Sequence, residues 1–197
     1  VNTCSFIHDA EKESVQSILQ LVNDGKKVIV TGCLPQKYKG ELKKAIPEIS
    51  GMIGTSDIKE IVDVVEHVAK NKKYAEHVSE KPDYIYPENI DRQQITVGAS
   101  SYIKIADGCN YHCGYCIIPN LRGEYHSRTI ENIVEEAKEL VSKGVTEIVL
   151  IAQDTTSYGI DLYGKQALPR LLEELNKIEG LGWIRIMYAY PSQMSDE

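Results

Sequence analysis

The chain lacks a long apolar run: no stretch approaches the ~20 residues needed to span a bilayer. It also lacks a basic stripe. Lysine and arginine number 22 against 29 aspartates and glutamates, for a net charge of -7. That balance argues against a general grip on nucleic acid and allows a basic protein partner. Cysteine is scarce, five in 197 residues. The count is odd and no stretch reads as a secretory signal, which predicts a reducing, cytoplasmic setting over a disulfide framework. Short-period repeats and low-complexity tracts are missing too. What is present is ordinary for a globular protein, 42% hydrophobic and 26% charged, enough for a packed core without staples. The length suits one large or two small domains. Both ends read as cut, Val1-Asn-Thr-Cys4 as the tail of a strand and Ser192–Glu197 as the approach to a helix. The expectation is a segment of a longer protein.

Hydrophobic periodicity predicts an α/β chain. Val15, Ile18, Leu19 and Val22 mark a helix over 9–24, with Asp9 as N-cap and Gly25 as stop. Val28-Ile29-Val30 suits a buried parallel strand. A short helix over 38–46 and a brief strand at Met52-Ile53 follow. Ser56 is expected to cap a helix through Val68, with Ile58, Ile61, Val62 and Val65 on one face. This alternation implies an open parallel sheet over 1–70, incomplete at its start. Residues 71–97 turn polar and read as a linker whose tyrosines either pack on a neighbour or stay solvated. From 98 to 197 a second α/β pattern begins. It has strands at 101–106, 146–152 and 183–190, with helices over 129–143 and around Leu168–Ile178. Repeated βα units of this length build a parallel sheet that can close as a barrel, of which at most half is present.

Chemistry in such sheets gathers at the carboxyl ends of strands, and every unusual motif falls there. Cys109, Cys113 and Cys116 follow the strand at 101–106 at C-x3-C-x2-C spacing, with no fourth cysteine nearby. Three thiolates hold three irons of a cubane cluster and leave the fourth iron open, whereas full ligation takes four. Zinc is the competing reading, but structural zinc wants four ligands, and His112 is adjacent to Cys113. Cys4 and Cys33 also follow strands, beside the small residues Thr3 and Gly32. They read either as buried small hydrophobes or as ligands of a second cluster needing a third ligand. His8, His67, His77, His112 and His126 show no metal-ligand spacing.

Several pieces resemble one family. They are Val1-Asn-Thr-Cys4, Thr31-Gly-Cys33-Leu-Pro-Gln36, Gly108-Cys-Asn with the three-cysteine run, Cys116-Ile-Ile-Pro119, Arg122-Gly123 and Ser127-Arg128. The chain is similar to the methylthiotransferases of the radical S-adenosylmethionine (SAM) superfamily. The run Ala152-Gln-Asp-Thr-Thr-Ser-Tyr-Gly159 with its continuation to Gly164, and Tyr188-Ala-Tyr-Pro191, look like the branch acting on an aspartate of the small-subunit ribosomal protein S-twelve. The alternatives are the transfer-RNA adenosine branch and a catalytically incomplete iron–sulfur-binding segment.

The resemblance implies a fold, cofactors and roles. Residues 1–70 would be the N-terminal methylthiotransferase domain and 98–197 the first half of the radical SAM barrel. Cys109, Cys113 and Cys116 would hold a [4Fe–4S] cluster whose open iron binds SAM. Cys4 and Cys33 would hold a second [4Fe–4S] cluster, its third ligand absent from this chain. Reduction by an external electron donor would cleave SAM to a 5′-deoxyadenosyl radical that abstracts hydrogen from the aspartate β-carbon, and a second SAM would supply the methyl group. Tyr115 would lie against the adenine, or merely pack beside the cluster. Gln153 and Asp154 would bind SAM or orient the substrate, or else cap their own loop. Arg122 and Arg128 would meet a carboxylate of SAM or substrate, for which a guanidinium suits bidentate pairing, or form surface ion pairs.

Overall fold

The computed structural model describes residues 1–71, 73–83 and 98–194. Tyr84, Tyr86 and most of the expected linker lie outside them, as do residues 195–197. The chain forms two units, one of Val1–Tyr84 with Tyr111–Glu124, the other of Ile85–Asn110 with Tyr125–Glu197.

The first unit is built on a parallel sheet in the order β1 (Asn2–Thr3), β2 (Ile29–Gly32), β3 (Gly51–Ile53), β4 (Ala75–His77). Helices α1 (His8–Asn23), α2 (Cys33–Tyr38), α3 (Gly40–Ala45) and α4 (Ile61–Asn71) connect or follow these strands. Ile18 from α1, Val28 and Val30 from the β2 run, Leu34 and Met52 make one core cluster. The strand β4 falls in the stretch read as linker and pairs with β3 from Gly51↔Ala75 to Ile53↔His77. Its polar sequence hid it, because an edge strand needs only one apolar face.

Two expectations fail here for local reasons. Asp9 does not cap α1: Ile7 precedes the helix without a side-chain cap, and Asp9 sits in the first turn, where a carboxylate favours the helix dipole. Ser56 does not cap α4 either. A 3-10 turn at Ile58–Glu60 intervenes, and the Ser56 hydroxyl is buried with no hydrogen-bond partner among the described residues. That turn shifts the phase of the helix. The buried face is Ile61, Val64 and Val68, while Ile58, Val62 and Val65 are exposed.

The second unit holds the parallel sheet β5 (Ser100–Lys104), β8 (Glu147–Ile151), β9 (Trp183–Ile186), in that order. A short antiparallel pair, β6 (Ala106–Asp107) with β7 (His126–Ser127), extends from the end of β5. Helix α6 (Ile130–Ser142) begins at Thr129, whose side chain accepts from the Asn132 N–H. This is the ordinary N-cap arrangement. Its Ile133, Ala137 and Leu140 pack over Ile148 and Leu150, and Leu171 and Leu175 of α8 (Leu168–Asn176) complete the core. A single turn, α7 (Ile160–Tyr163), separates β8 from α8. The α/β class and parallel sheets are therefore as the periodicity predicts.

Candidate cluster-binding sites

Cys4 and Cys33 stand immediately beyond the last paired residues of two adjacent parallel strands, Thr3↔Gly32. Cys4 is exposed and Cys33 is 6% exposed. The Thr3 hydroxyl builds this edge. It donates to the Thr31 carbonyl at 2.7 Å and accepts the Leu34 N–H at 3.2 Å, tying the first turn of α2 to β1. Gly32 has φ 96°, and a Cβ there would lie 2.7 Å from both the Asn2 Oδ1 and the Thr3 carbonyl. Glycine thus serves the close approach of β1, and the space beside it is already filled by that strand.

Cys113 and Cys116 lie in the stretch Tyr111–Glu124, which belongs to the first unit. The Cys116 N–H donates to the Cys113 carbonyl at 2.9 Å, closing a turn between them. Helix α5 (Ile118–Arg122) follows, with Pro119 in its first turn, and it packs against α2. The Thr55 hydroxyl donates to the Leu121 carbonyl at 2.5 Å. The Arg122 Nη2 lies 3.9 Å from the Cys33 sulfur. The sequence left Arg122 between a carboxylate of SAM or substrate and a surface ion pair; the contact with a thiol sulfur had no sequence signal. Tyr115 is 89% exposed.

In the second unit, β5 and β6 deliver the chain to Cys109. Asn110 Oδ1 accepts the Tyr125 N–H at 2.9 Å, so the residues bracketing the 111–124 excursion are fastened to each other. Lys104 pairs with Asp107 at 2.9 Å, and Asp107 also accepts the Gly108 N–H at 3.1 Å. Tyr125 donates its phenol proton to the Asp154 carbonyl at 2.7 Å. Burial, then the nearby Asp154 and Asp161 charges, push its ionisation upward, so it acts as a neutral donor. Ser127 donates from N–H and hydroxyl to Asp161, at 2.7 and 2.6 Å. Neither Tyr125 nor Asp161 stood out in the sequence, because a lone supporting carboxylate on the single-turn helix α7 carries no spacing signal.

Gln153 and Asp154 leave β8 with different fates. Asp154 is 1% exposed. Its Oδ1 accepts from the Thr156 N–H and hydroxyl at 3.0 and 2.5 Å, and its Oδ2 accepts from Ser157. The carboxylate caps its own loop. Gln153 Oε1 is buried with no hydrogen-bond partner among the described residues, an acceptor left open to a donor. Arg128 turns inward. It pairs with Glu136 at 2.7 Å and donates to the Lys104 carbonyl and Asn132 Oδ1, each at 2.8 Å.

No disulfide joins any of the five cysteines. Cys109, Cys113 and Cys116 are each partly exposed, and cysteine thiolates are the usual ligands of iron–sulfur clusters. Among the described residues no three His, Cys, Asp or Glu side chains stand together as a metal-ready group.

Residues 103–197 match the radical SAM superfamily, and residues 1–54 match a family described as uncharacterised, UPF0004. The whole chain is 51% identical over 197 residues to a protein of Prochlorococcus marinus (strain MIT 9312) named ribosomal protein uS12 methylthiotransferase RimO. Over its whole length the chain is thus similar to methylthiotransferases, and its second half matches the radical SAM superfamily. Proteins of the same name from Caldanaerobacter subterraneus subsp. tengcongensis and Gloeobacter violaceus are 52% and 49% identical, again over all of this chain. The chain spans 43%, 46% and 45% of the length of these three relatives. Among solved structures, the radical S-adenosylmethionine methyltransferase TsrM of Kitasatospora setae, with tryptophan and a SAM analogue bound, superposes with a TM-score of 0.53. At 14% identity, covering 81% of this chain and 35% of that one, the match speaks to fold alone. It agrees with the α/β radical SAM architecture expected from the sequence.

Proposed function

We propose that the chain serves in a methylthiotransferase that places a methylthio group on the β-carbon of an aspartate in ribosomal protein uS12. The observation that carries this reading is the 51% identity over all 197 residues with a protein named a uS12 methylthiotransferase, beside the C-x3-C-x2-C thiols of this chain. Cys109, Cys113 and Cys116 would hold a [4Fe–4S] cluster that binds SAM. Cys4 and Cys33 supply two ligands of a second cluster, and the third comes from outside this chain. When bound, the first cluster supplies one-electron cleavage of SAM, fed by an external donor.

The protein's own residues supply position and support. The Asn110–Tyr125 hydrogen bond holds together the residues flanking the excursion that carries Cys113 and Cys116. The open Gln153 Oε1 accepts a hydrogen bond from SAM or substrate, and Asp154 shapes the loop that presents it. Tyr115, largely exposed, offers a ring face to the adenine. The net charge of -7 suits a basic ribosomal protein better than RNA. Among the described residues no helix is long and apolar enough to cross a membrane, in keeping with a cytoplasmic place of work.

The test uses the intact protein, reconstituted anaerobically, beside a variant with Cys109, Cys113 and Cys116 changed to alanine. About four irons with matching sulfide, lost in the variant, are expected for this site, together with methylthiolation of a uS12 peptide by mass spectrometry. Zinc without sulfide, or modification of transfer RNA and not the peptide, would overturn the reading.

A further inference from the structure

Arg122 is aimed from both sides. Its predecessor, Leu121, is buried and its carbonyl accepts the Thr55 hydroxyl at 2.5 Å. Its successor, Gly123, has φ 75°, and a Cβ there would come within 2.0 Å of the Pro82 carbonyl. Gly123 also donates its N–H to the Pro119 carbonyl at 2.9 Å, ending α5. With the backbone fixed on either side, the guanidinium reaches the Cys33 sulfur at 3.9 Å. Cys33 is buried, so solvent and salt screen this contact weakly. A solvent-exposed arginine with one flexible flank would not carry the same weight.

We infer that Arg122 is a positioning residue for the cluster held by Cys33: it donates to that sulfur and makes the cluster easier to reduce. The inference rests on reading Cys33 as a cluster ligand. The physical ground is charge. Reduction adds a negative charge to the cluster, and hydrogen bonds and charges at the ligand sulfurs set its potential. A fixed cation beside one sulfur favours the reduced state. Arg122 follows Cys116 by one short helix, so the residue that adjusts the Cys33 site lies on the same stretch as two of the SAM-cluster thiols. No electron or atom is transferred by Arg122 itself.

The experiment uses the intact protein with Cys109, Cys113 and Cys116 changed to alanine, so that any iron loaded reports on Cys4 and Cys33. Arg122→Gln, Arg122→Lys and Thr55→Val are compared with this parent by iron content, circular dichroism and a redox titration followed by electron paramagnetic resonance. Arg122→Gln is expected to keep its iron and shift the midpoint to more negative potential. The reduced-to-oxidised ratio at fixed poise then falls about tenfold, as expected for loss of one charged hydrogen bond. Arg122→Lys keeps the charge and stays near the parent. Thr55→Val touches no sulfur, yet shifts the midpoint in the same direction by less, because Leu121 is released. Equal midpoints in Arg122→Gln, Thr55→Val and parent would overturn the role of Arg122 and leave the cluster assignment standing. Absence of iron from every protein, parent included, would overturn the cluster assignment at Cys4 and Cys33 and this inference with it.

Discussion

Thr155 holds Tyr188 in place across the end of the second sheet. Its N–H donates to the Tyr188 carbonyl at 3.1 Å, and its hydroxyl donates to the carbonyl of the preceding Met187 at 2.9 Å. Tyr188 sits at φ 62°, a left-handed conformation that costs a non-glycine residue about 1–2 kcal/mol. The expected strand over 183–190 therefore stops at Ile186, and the chain turns where Thr155 pins it.

Tyr188→Asn is expected to stabilise the fold by about 1 kcal/mol, because asparagine tolerates this region. The tyrosine is 61% exposed, so little packing is lost. The check is the urea midpoint at constant m. A lower midpoint would mean that the ring, not the backbone, governs this site.

Arg128→Met is expected to cost about 3–5 kcal/mol, since it removes the guanidinium from the buried Glu136 carboxylate. The side chains of the pair are only 6% and 13% exposed. The double change with Glu136→Leu should recover much of that loss, as replacing both members of a buried pair often does. Denaturant melts of the two single variants and the double close the cycle.

Gly32→Ala is expected to cost about 2–4 kcal/mol, from the positive φ together with overpacking against β1. Its Cβ would press on the Asn2 side chain and the Thr3 backbone. On the proposed reading of Cys4 and Cys33 as cluster ligands, the iron they hold should fall with it. Unchanged melting and iron content would show that β1 yields without consequence.

Glu11 gives the first unit a pH dependence with a defined sign. Burial pushes its carboxyl up, but hydrogen bonds from Lys37 at 2.8 Å and Tyr38 at 2.6 Å, with the lysine's charge, outweigh this and hold it below 4.5. The stabilisation is full above pH 4.5 and is lost as pH falls through the depressed value. Lys37, raised from 10.5 chiefly by its hydrogen bond to Glu11, contributes fully below that pH and loses its share as pH rises further. Urea midpoints of Glu11→Gln should lie below wild type at pH 7 and converge with it in acid.

Much of this was legible in the sequence. The α6 stripe of Ile130, Ile133, Ala137 and Leu140 is buried as its period predicts, because an uninterrupted helix keeps its phase. The α4 face was misread because the turn at Ile58–Glu60 lies ahead of the helix and rotates it. Strand β4 was missed because Ala75-Glu-His77 has no apolar alternation; its place comes from pairing with β3. The C-x3-C-x2-C spacing is plain in the sequence, whereas the turn that joins Cys113 to Cys116 by a backbone hydrogen bond is not. The Arg122–Cys33 contact joins residues 89 positions apart, and only folding brings such pairs together. Asp154 illustrates an ambiguity of type: a carboxylate after a strand is written identically whether it grips a ligand or, as here, its own Thr156 and Ser157.

The first unit is assembled from two stretches of chain, Val1–Tyr84 and Tyr111–Glu124. A nascent chain presents them in order, so α5 reaches its seat only after β5 and β6 have been synthesised. Translation at about 5–20 residues per second makes that a delay of some seconds. During that interval Thr55 lacks the Leu121 carbonyl and Cys33 lacks its arginine. The Cys33 thiol thus emerges from the ribosome before the arginine that contacts it in the folded unit does.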